Sequence, residues 1–278
     1  MNRRLLPLAG VLVLLMGACS GSATATPTPS LAASPTASAS PAPANLTIYA
    51  AASLKVALAR VKTTYEAAHP GTTLTISTDA SSALETKIEQ GAPADAFLSA
   101  DTTNPQKLVD KGLTVGGVTK FAGNLLAVIV PQANPAHIGS PEALANSGVM
   151  IIAAGDAVPI TKYANQLVAN LAKEPAYPAD FAARYTANIV SKEDNVSAIV
   201  AKVELGEGDA GIVYVTDAKT STKVTVVEVP SSANVPATYG GVVVKSSPSP
   251  DAAAAFLAWL AGPDGQAVLA GFGFLPPS

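Results

Sequence analysis

The chain carries 17 basic and 20 acidic residues over 278 positions, a formal net charge of −3, and a single cysteine. Arg3 and Arg4 are the only charges before position 45, so the remainder of the chain is more acidic still, which excludes the basic balance of a nucleic-acid binder; the lone Cys19 excludes an internal disulfide. Apolar residues make up 49% of the chain but aromatics only 5%, so whatever folds after residue 44, one large domain or two small ones, must build its core from Ala, Val, Leu and Ile.

Residues 1–18 read as an export signal, with Arg3 and Arg4 as the basic region, Leu5 to Met16 as the apolar region and Gly17-Ala18 as the small residues at its end. The apolar run falls well short of the roughly 20 residues that a bilayer span requires. A cysteine directly after such a run resembles a bacterial lipobox, with Met16 where Leu is usual, and implies that Cys19 becomes the acylated first residue; cleavage after Ala18 or Ala23 with a free thiol is the plainer alternative. Residues 20–44 contain Ser, Thr, Ala, Pro and Gly with one Leu and no charge. Such a composition buries too little apolar surface to fold, so residues 19–44 read as a lipidated cysteine and a tether with a reach of roughly 25 to 30 Å.

Strand and helix patterns alternate from there. Leu46 to Ala50 reads as a strand, followed by a helix with Leu54, Leu58, Val61 and Tyr65 on one face that ends before His69-Pro70-Gly71. Thr73 to Ser77 is the next strand, and after Asp79-Ala80-Ser81-Ser82 a helix carries Leu84 and Ile88 up to Gly91. Strands are expected at Leu125 to Val130, Met150 to Ala153, Ala210 to Val215, Val224 to Val229 and Gly241 to Val244. Helices are expected at Ile160 to Leu171, Phe181 to Ala187, Val196 to Leu205, Ala252 to Leu260 and Gly265 to Ala270. The alternation predicts an α/β protein with mostly parallel sheets.

Several spellings lead nowhere. Gly206 to Gly211 matches a dinucleotide fingerprint but runs from helix into strand, the reverse of the required context. His69 and His137 lack clustered partners, and no G-x-S-x-G is present. Ser53 and Ser81 are suited to capping helices, and Ile160, Val196 and Tyr214 suit ordinary helix starts and strand packing.

Five segments change that weighting. LTIYAAASL (46–54), DASSALETKIEQGAPADAFLSAD (79–101), AGDAVPITKYA (154–164), KEDNVSAIVAKVELGEGDAGIVYVTDA (192–218) and FLAWLAGPDGQAVLAGFGF (256–274) resemble, in this order, the substrate-binding proteins of bacterial molybdate ABC importers. The resemblance implies a type II periplasmic-binding-protein fold: one lobe of residues 45–124 plus 232–278, another of residues 125–231, hinge crossings near Asn124 and Ser231, and an oxyanion closed between the lobes. It implies a monomeric extracytoplasmic receptor, not an enzyme, that takes molybdate or tungstate as ligand, needs no cofactor, hands the ion to a membrane permease and touches the membrane only through its lipid.

It also implies the binding groups: the hydroxyls of Ser53 and Ser81, the main-chain amides of Ile160 and Val196, and the phenol of Tyr214. The metal oxyanion is held through these donors, with no direct cation ligand. A tetrahedral dianion offers only acceptors, and amides at helix starts together with hydroxyls offer donors without formal charge. Ile160 stands where the family has a small residue, and Asp79-Ala80 where it has a small pair, so Asp79 has to point away from the ion. None of the five groups titrates between about pH 6 and 8, which predicts flat affinity there. The alternatives are the same fold binding sulfate or another oxyanion, a serine hydrolase, or a structural surface lipoprotein.

Overall fold

The computed structural model describes residues 43–277. The export signal, Cys19 and nearly all of the tether therefore lie outside the described residues. From Asn45 the chain runs β1 (Asn45–Ala51), a 3-10 turn (Ala52–Leu54), α1 (Lys55–Ala68), β2 (Thr73–Asp79), α2 (Ser81–Glu89), β3 (Ala96–Ser99), α3 (Thr103–Asp110) and β4 (Thr114–Asn124). It continues through β5 (Leu126–Pro131), β6 (Ile151–Ala154), α4 (Pro159–Leu171), α5 (Phe181–Ala187), β7 (Ile189–Glu193), α6 (Val196–Glu204), β8 (Ala210–Tyr214), α7 (Val215–Thr220) and β9 (Val224–Val227). β10 (Ala237–Val244), α8 (Pro250–Ala261) and α9 (Pro263–Gly271) complete it.

These strands form two five-stranded sheets, ordered β2-β1-β3-β10-β4 and β7-β6-β8-β5-β9. The chain passes from the first sheet to the second at Leu125, and returns between Val227 and Ala237, a segment that contains Ser231. We call the elements around each sheet the first and second lobe. The sheets are mixed rather than mostly parallel. Ladders β1–β2, β1–β3, β6–β7 and β6–β8 are parallel, whereas β10 runs against β3 and β4, and β5 against β8 and β9. The antiparallel ladders all involve the strands that carry the chain between lobes. A parallel neighbour needs a crossover helix within one sheet, and a strand arriving from the other sheet escapes that requirement.

The apolar stripes land where their spacing puts them. Leu58, Val61 and Tyr65 of α1 are buried, and Tyr65 meets Phe256 and Trp259 edge-on at 5.0 and 5.1 Å. Ile199, Val200 and Val203 of α6 pack onto the second sheet, each worth about 1.5–3 kcal/mol of burial. Gly211 makes that approach possible, since a Cβ there would lie 2.6 Å from the Ile199 Cγ2 methyl and 3.1 Å from the Ile152 carbonyl oxygen. Close packing of α6 on β8 brings the first turn of the helix beside the end of the strand, where Tyr214 stands.

Three strands and two helices escape the sequence pattern. β3 is four fully buried residues, too short to show a period; β4 is glycine-interrupted and exposed over its first half; β7 carries Lys192 and Glu193. α3 holds Pro105 within its first turn, and α7 is only six residues long.

Candidate functional site

The starts of the 3-10 turn, α2, α4 and α6 converge with the end of β8 on the seam between the lobes. Ser53, Ser81, Ile160, Val196 and Tyr214, all five positions expected from the sequence, line one cavity there. It encloses about 210 Å³ of empty space, of which only about 10 Å³ admits the centre of a water molecule. Organic ligands usually occupy cavities of roughly 300–1,000 Å³, far more than the space that admits a water centre here, so the cavity leaves room only for something very small. A larger cavity of about 980 Å³ by the same measure lies in the second lobe beside α4 and α5, but Ile160 is the one residue of the five that reaches it.

The donors arise from how each helix begins. Ala80, with extended backbone, precedes α2, so Ser81 is its first residue and contributes both an amide without an intrahelical partner and a hydroxyl. Pro159 opens α4 and has no N–H, which leaves Ile160 to supply the first amide. α6 follows Asn195, whose side chain accepts from Ala198 N at 3.2 Å and caps the helix, leaving the Val196 amide directed at the seam. Helix starts carry partial positive charge, so together they favour an anion.

Neither serine caps a helix. Ser81 Oγ accepts from the Ala100 amide at 3.0 Å, and Ser53 Oγ lies 2.9 Å from the Tyr239 hydroxyl. Tyr214 is 1% exposed, and its hydroxyl is the one buried side-chain polar atom among the described residues with no hydrogen-bond partner. An unsatisfied buried hydroxyl costs about 1–3 kcal/mol. A ligand oxygen in the cavity would relieve it.

Among the described residues, no lysine, arginine, histidine or carboxylate lines the cavity. Asp79, next to it in sequence, is turned aside, as an anion in the cavity requires. One carboxylate oxygen accepts from Ala80 N at 2.8 Å, and the other is paired with Lys87 at 3.1 Å. The first oxygen also accepts from Asn195 Nδ2 across the cleft at 3.5 Å; Ser197 Oγ to the Ala52 carbonyl and Lys162 Nζ to Thr103 Oγ1, both 3.5 Å, join the lobes in the same long, weak manner.

Three buried residues behind the cavity were not singled out as site residues in the sequence. Asn124, at the end of β4, donates to Thr216 Oγ1 at 2.8 Å and to Tyr239 at 3.3 Å. Tyr239 of β10 lies between Asn124 and Ser53. Asp217, in the first turn of α7, accepts from the Tyr214 amide at 3.3 Å and lines the seam beside Ser53. Burial pushes its carboxyl up to about 7, opposed by that amide; burial also holds the phenols of Tyr214 and Tyr239 well above their ordinary value, and raises Tyr163 to about 12. Asp217 had a readable local signal, since it stands three residues after Tyr214 in a capping position. Asn124 and Tyr239 had none.

Comparison with known proteins identifies the family. The chain is 32% identical over 234 residues to the molybdate-binding protein ModA of Mycobacterium tuberculosis H37Rv, covering 84% of this chain and 85% of that protein. It is 32% identical over 231 residues to the putative ABC transporter substrate-binding lipoprotein YvgL of Bacillus subtilis, covering 82% and 85%. The solved substrate-binding domain of a putative molybdenum ABC transporter from Clostridium difficile matches with a TM-score of 0.63 and 30% identity, over 84% of this chain and all of that one. The family model for bacterial extracellular solute-binding proteins matches residues 46–275. With its two mixed sheets, double crossing and interlobe cavity of the type II fold, the chain belongs to the family of bacterial extracellular solute-binding proteins.

Proposed function

We propose that this protein is the extracytoplasmic receptor that captures molybdate, and tungstate with it, for an ABC importer. The observation that carries the reading is the cavity itself, a small uncharged space into which donors from both lobes point and beside which the Tyr214 hydroxyl has no protein partner. Charge-assisted hydrogen bonds of about 1.5–3 kcal/mol each, several at once, offset the dehydration of a dianion. The relatives named for molybdate and for molybdenum transport support the choice of ion.

Capture follows from the division of donors. An ion resting on Ser53 and Ser81 of the first lobe gains the Ile160 and Val196 amides and the Tyr214 phenol only when the second lobe closes over it, so the ion stabilises the closed form by differential contact. A hydrolase has no support in these contacts, because Ser53 meets Tyr239 and Ser81 meets the Ala100 amide, neither of which is a general base. The membrane permease of the importer is the expected partner of the closed receptor, which acts as a monomer. Acylation of Cys19 would hold it at the outer membrane face through the tether, a reading that the lipoprotein named among its relatives supports.

Titration calorimetry with molybdate, tungstate, sulfate and phosphate tests the proposal. Tight binding of the first two with weaker sulfate is expected, since a donor cage sized for the larger ions leaves a smaller one with stretched bonds. Sulfate binding as tightly as molybdate would overturn the choice of ligand.

A further inference from the structure

The side chains behind Ser53 form a chain of hydrogen bonds whose direction can be worked out. Asn124, the last residue of β4, is 1% exposed, and its Oδ1 accepts from the Leu125 amide at 3.0 Å. That bond fixes which way the side-chain amide points, so Nδ2 faces Thr216 Oγ1 and the Tyr239 hydroxyl. An amide nitrogen can only donate. The Tyr239 oxygen therefore accepts, and its single proton is left for Ser53 Oγ, 2.9 Å away. Ser53 in turn accepts from Tyr239 and lines the cavity, so its own proton is free to point at whatever the cavity holds.

We propose that Asn124 and Tyr239 are positioning residues that fix the Ser53 hydroxyl as a donor toward the bound ion, and thereby make the site select fully deprotonated oxyanions over protonated ones of equal charge. This rests on the oxyanion reading above. Ser81 reaches the same state by a shorter route, because its oxygen accepts from the Ala100 amide and its proton is likewise left for the cavity. Both hydroxyls of the first lobe then present hydrogens. A molybdate dianion brings acceptors alone and satisfies them. A hydrogen phosphate dianion has the same charge but carries an O–H that needs an acceptor, and the first lobe, with both hydroxyls locked as donors, offers it none. Discrimination by proton content is thus set by residues that do not touch the ion. Tyr239 comes from β10 and Asn124 from the crossing between lobes, so the chain also ties this selectivity to the hinge.

The test compares molybdate with phosphate at about pH 8 on the full chain, measuring each affinity by calorimetry or displacement. Tyr239→Phe should lower molybdate affinity about tenfold and lower the molybdate-to-phosphate ratio with it, because Ser53 regains the freedom to accept. Asn124→Asp should lower the ratio further by reversing the chain: the carboxylate accepts from Tyr239, Tyr239 from Ser53, and Ser53 turns a lone pair to the ion. Repulsion from the added charge acts on two dianions alike and cancels in the ratio. In a Ser53→Ala background, Tyr239→Phe should leave the ratio unchanged. Equal loss for both ions in Tyr239→Phe, or the same shift of ratio with Ser53 absent, would overturn the inference while leaving molybdate binding intact. Failure of the parent protein to bind molybdate would overturn the functional reading as well. Should Asn124→Asp not fold, the Tyr239→Phe pair with and without Ser53 decides alone.

Discussion

The two walls of the cavity are built on different terms. On the first lobe, Ser53 and Ser81 are each bonded to another protein group, Tyr239 and the Ala100 amide, before any ion arrives. On the second, Tyr214 is buried without a partner, and Ile160 and Val196 offer bare amides at helix starts. The first wall is preorganised, each serine oxygen already held by one protein bond in the free protein; on the second, the Tyr214 hydroxyl has no bond at all and carries a hydrogen-bonding demand that a ligand between the lobes would remove. In the proposed receptor, recognition would therefore sit mainly with the first lobe, and the drive to stay closed mainly with the second.

Ser81→Ala should produce the largest effect, because it removes a donor to the ion and also strips the Ala100 amide of its buried acceptor. We expect molybdate affinity to fall roughly ten- to over a hundredfold, and the free protein to lose about 1–3 kcal/mol. Calorimetric affinity and denaturant unfolding of the ligand-free protein check both numbers; an unchanged unfolding midpoint would break the claim that this wall is prebonded.

Tyr214→Phe should separate the walls most clearly. Affinity drops about tenfold, yet the free protein becomes more stable by about 1 kcal/mol, since an unsatisfied buried hydroxyl has been deleted. Loss of stability in this variant would mean that the hydroxyl has a partner in solution.

A pH effect of intermediate size arises from Asp217. Its carboxyl is raised from an ordinary 3.8 to about 7 by burial, so between those values the folded state holds a proton that the unfolded state has released. Stability conferred by this position is highest at low pH, falls as pH rises through that window, and reaches its minimum above about 7. A dianion in the neighbouring cavity favours the protonated carboxyl further. Affinity should decline several-fold from about pH 6 to 8 instead of staying flat, with proton uptake on binding visible as a buffer-dependent enthalpy. Asp217→Asn should abolish the slope.

Asp79→Ala should matter least. The pair with Lys87 is half exposed and the bond to Asn195 is long, so a loss of no more than about 1 kcal/mol is expected, seen as faster release of the ion rather than weaker capture. A large loss of affinity would move closure energy from Tyr214 to the rim.

Local rules read directly from the residues account for much of this molecule. The stripes of α1 and α6 are buried because a period of 3.6 residues places Leu58, Val61 and Tyr65, or Ile199, Val200 and Val203, on one face of any helix. The five cavity residues were legible because each stands at a helix start or strand end inside a motif that resembles a known family, and free amides at helix starts are a property of the helix alone. Mixed sheets were not legible, since strand direction depends on which sheet the chain has come from. The partners of the site residues were hidden for a related reason. Ser53 and Tyr239 are 186 residues apart, Asn124 and Tyr239 are 115, and no periodicity or spacing links positions that meet only after two crossings between lobes. Helix starts written into the residue order say where donors are made; which of them are already bonded, and which way their protons point, depends on neighbours that other strands bring in through the fold.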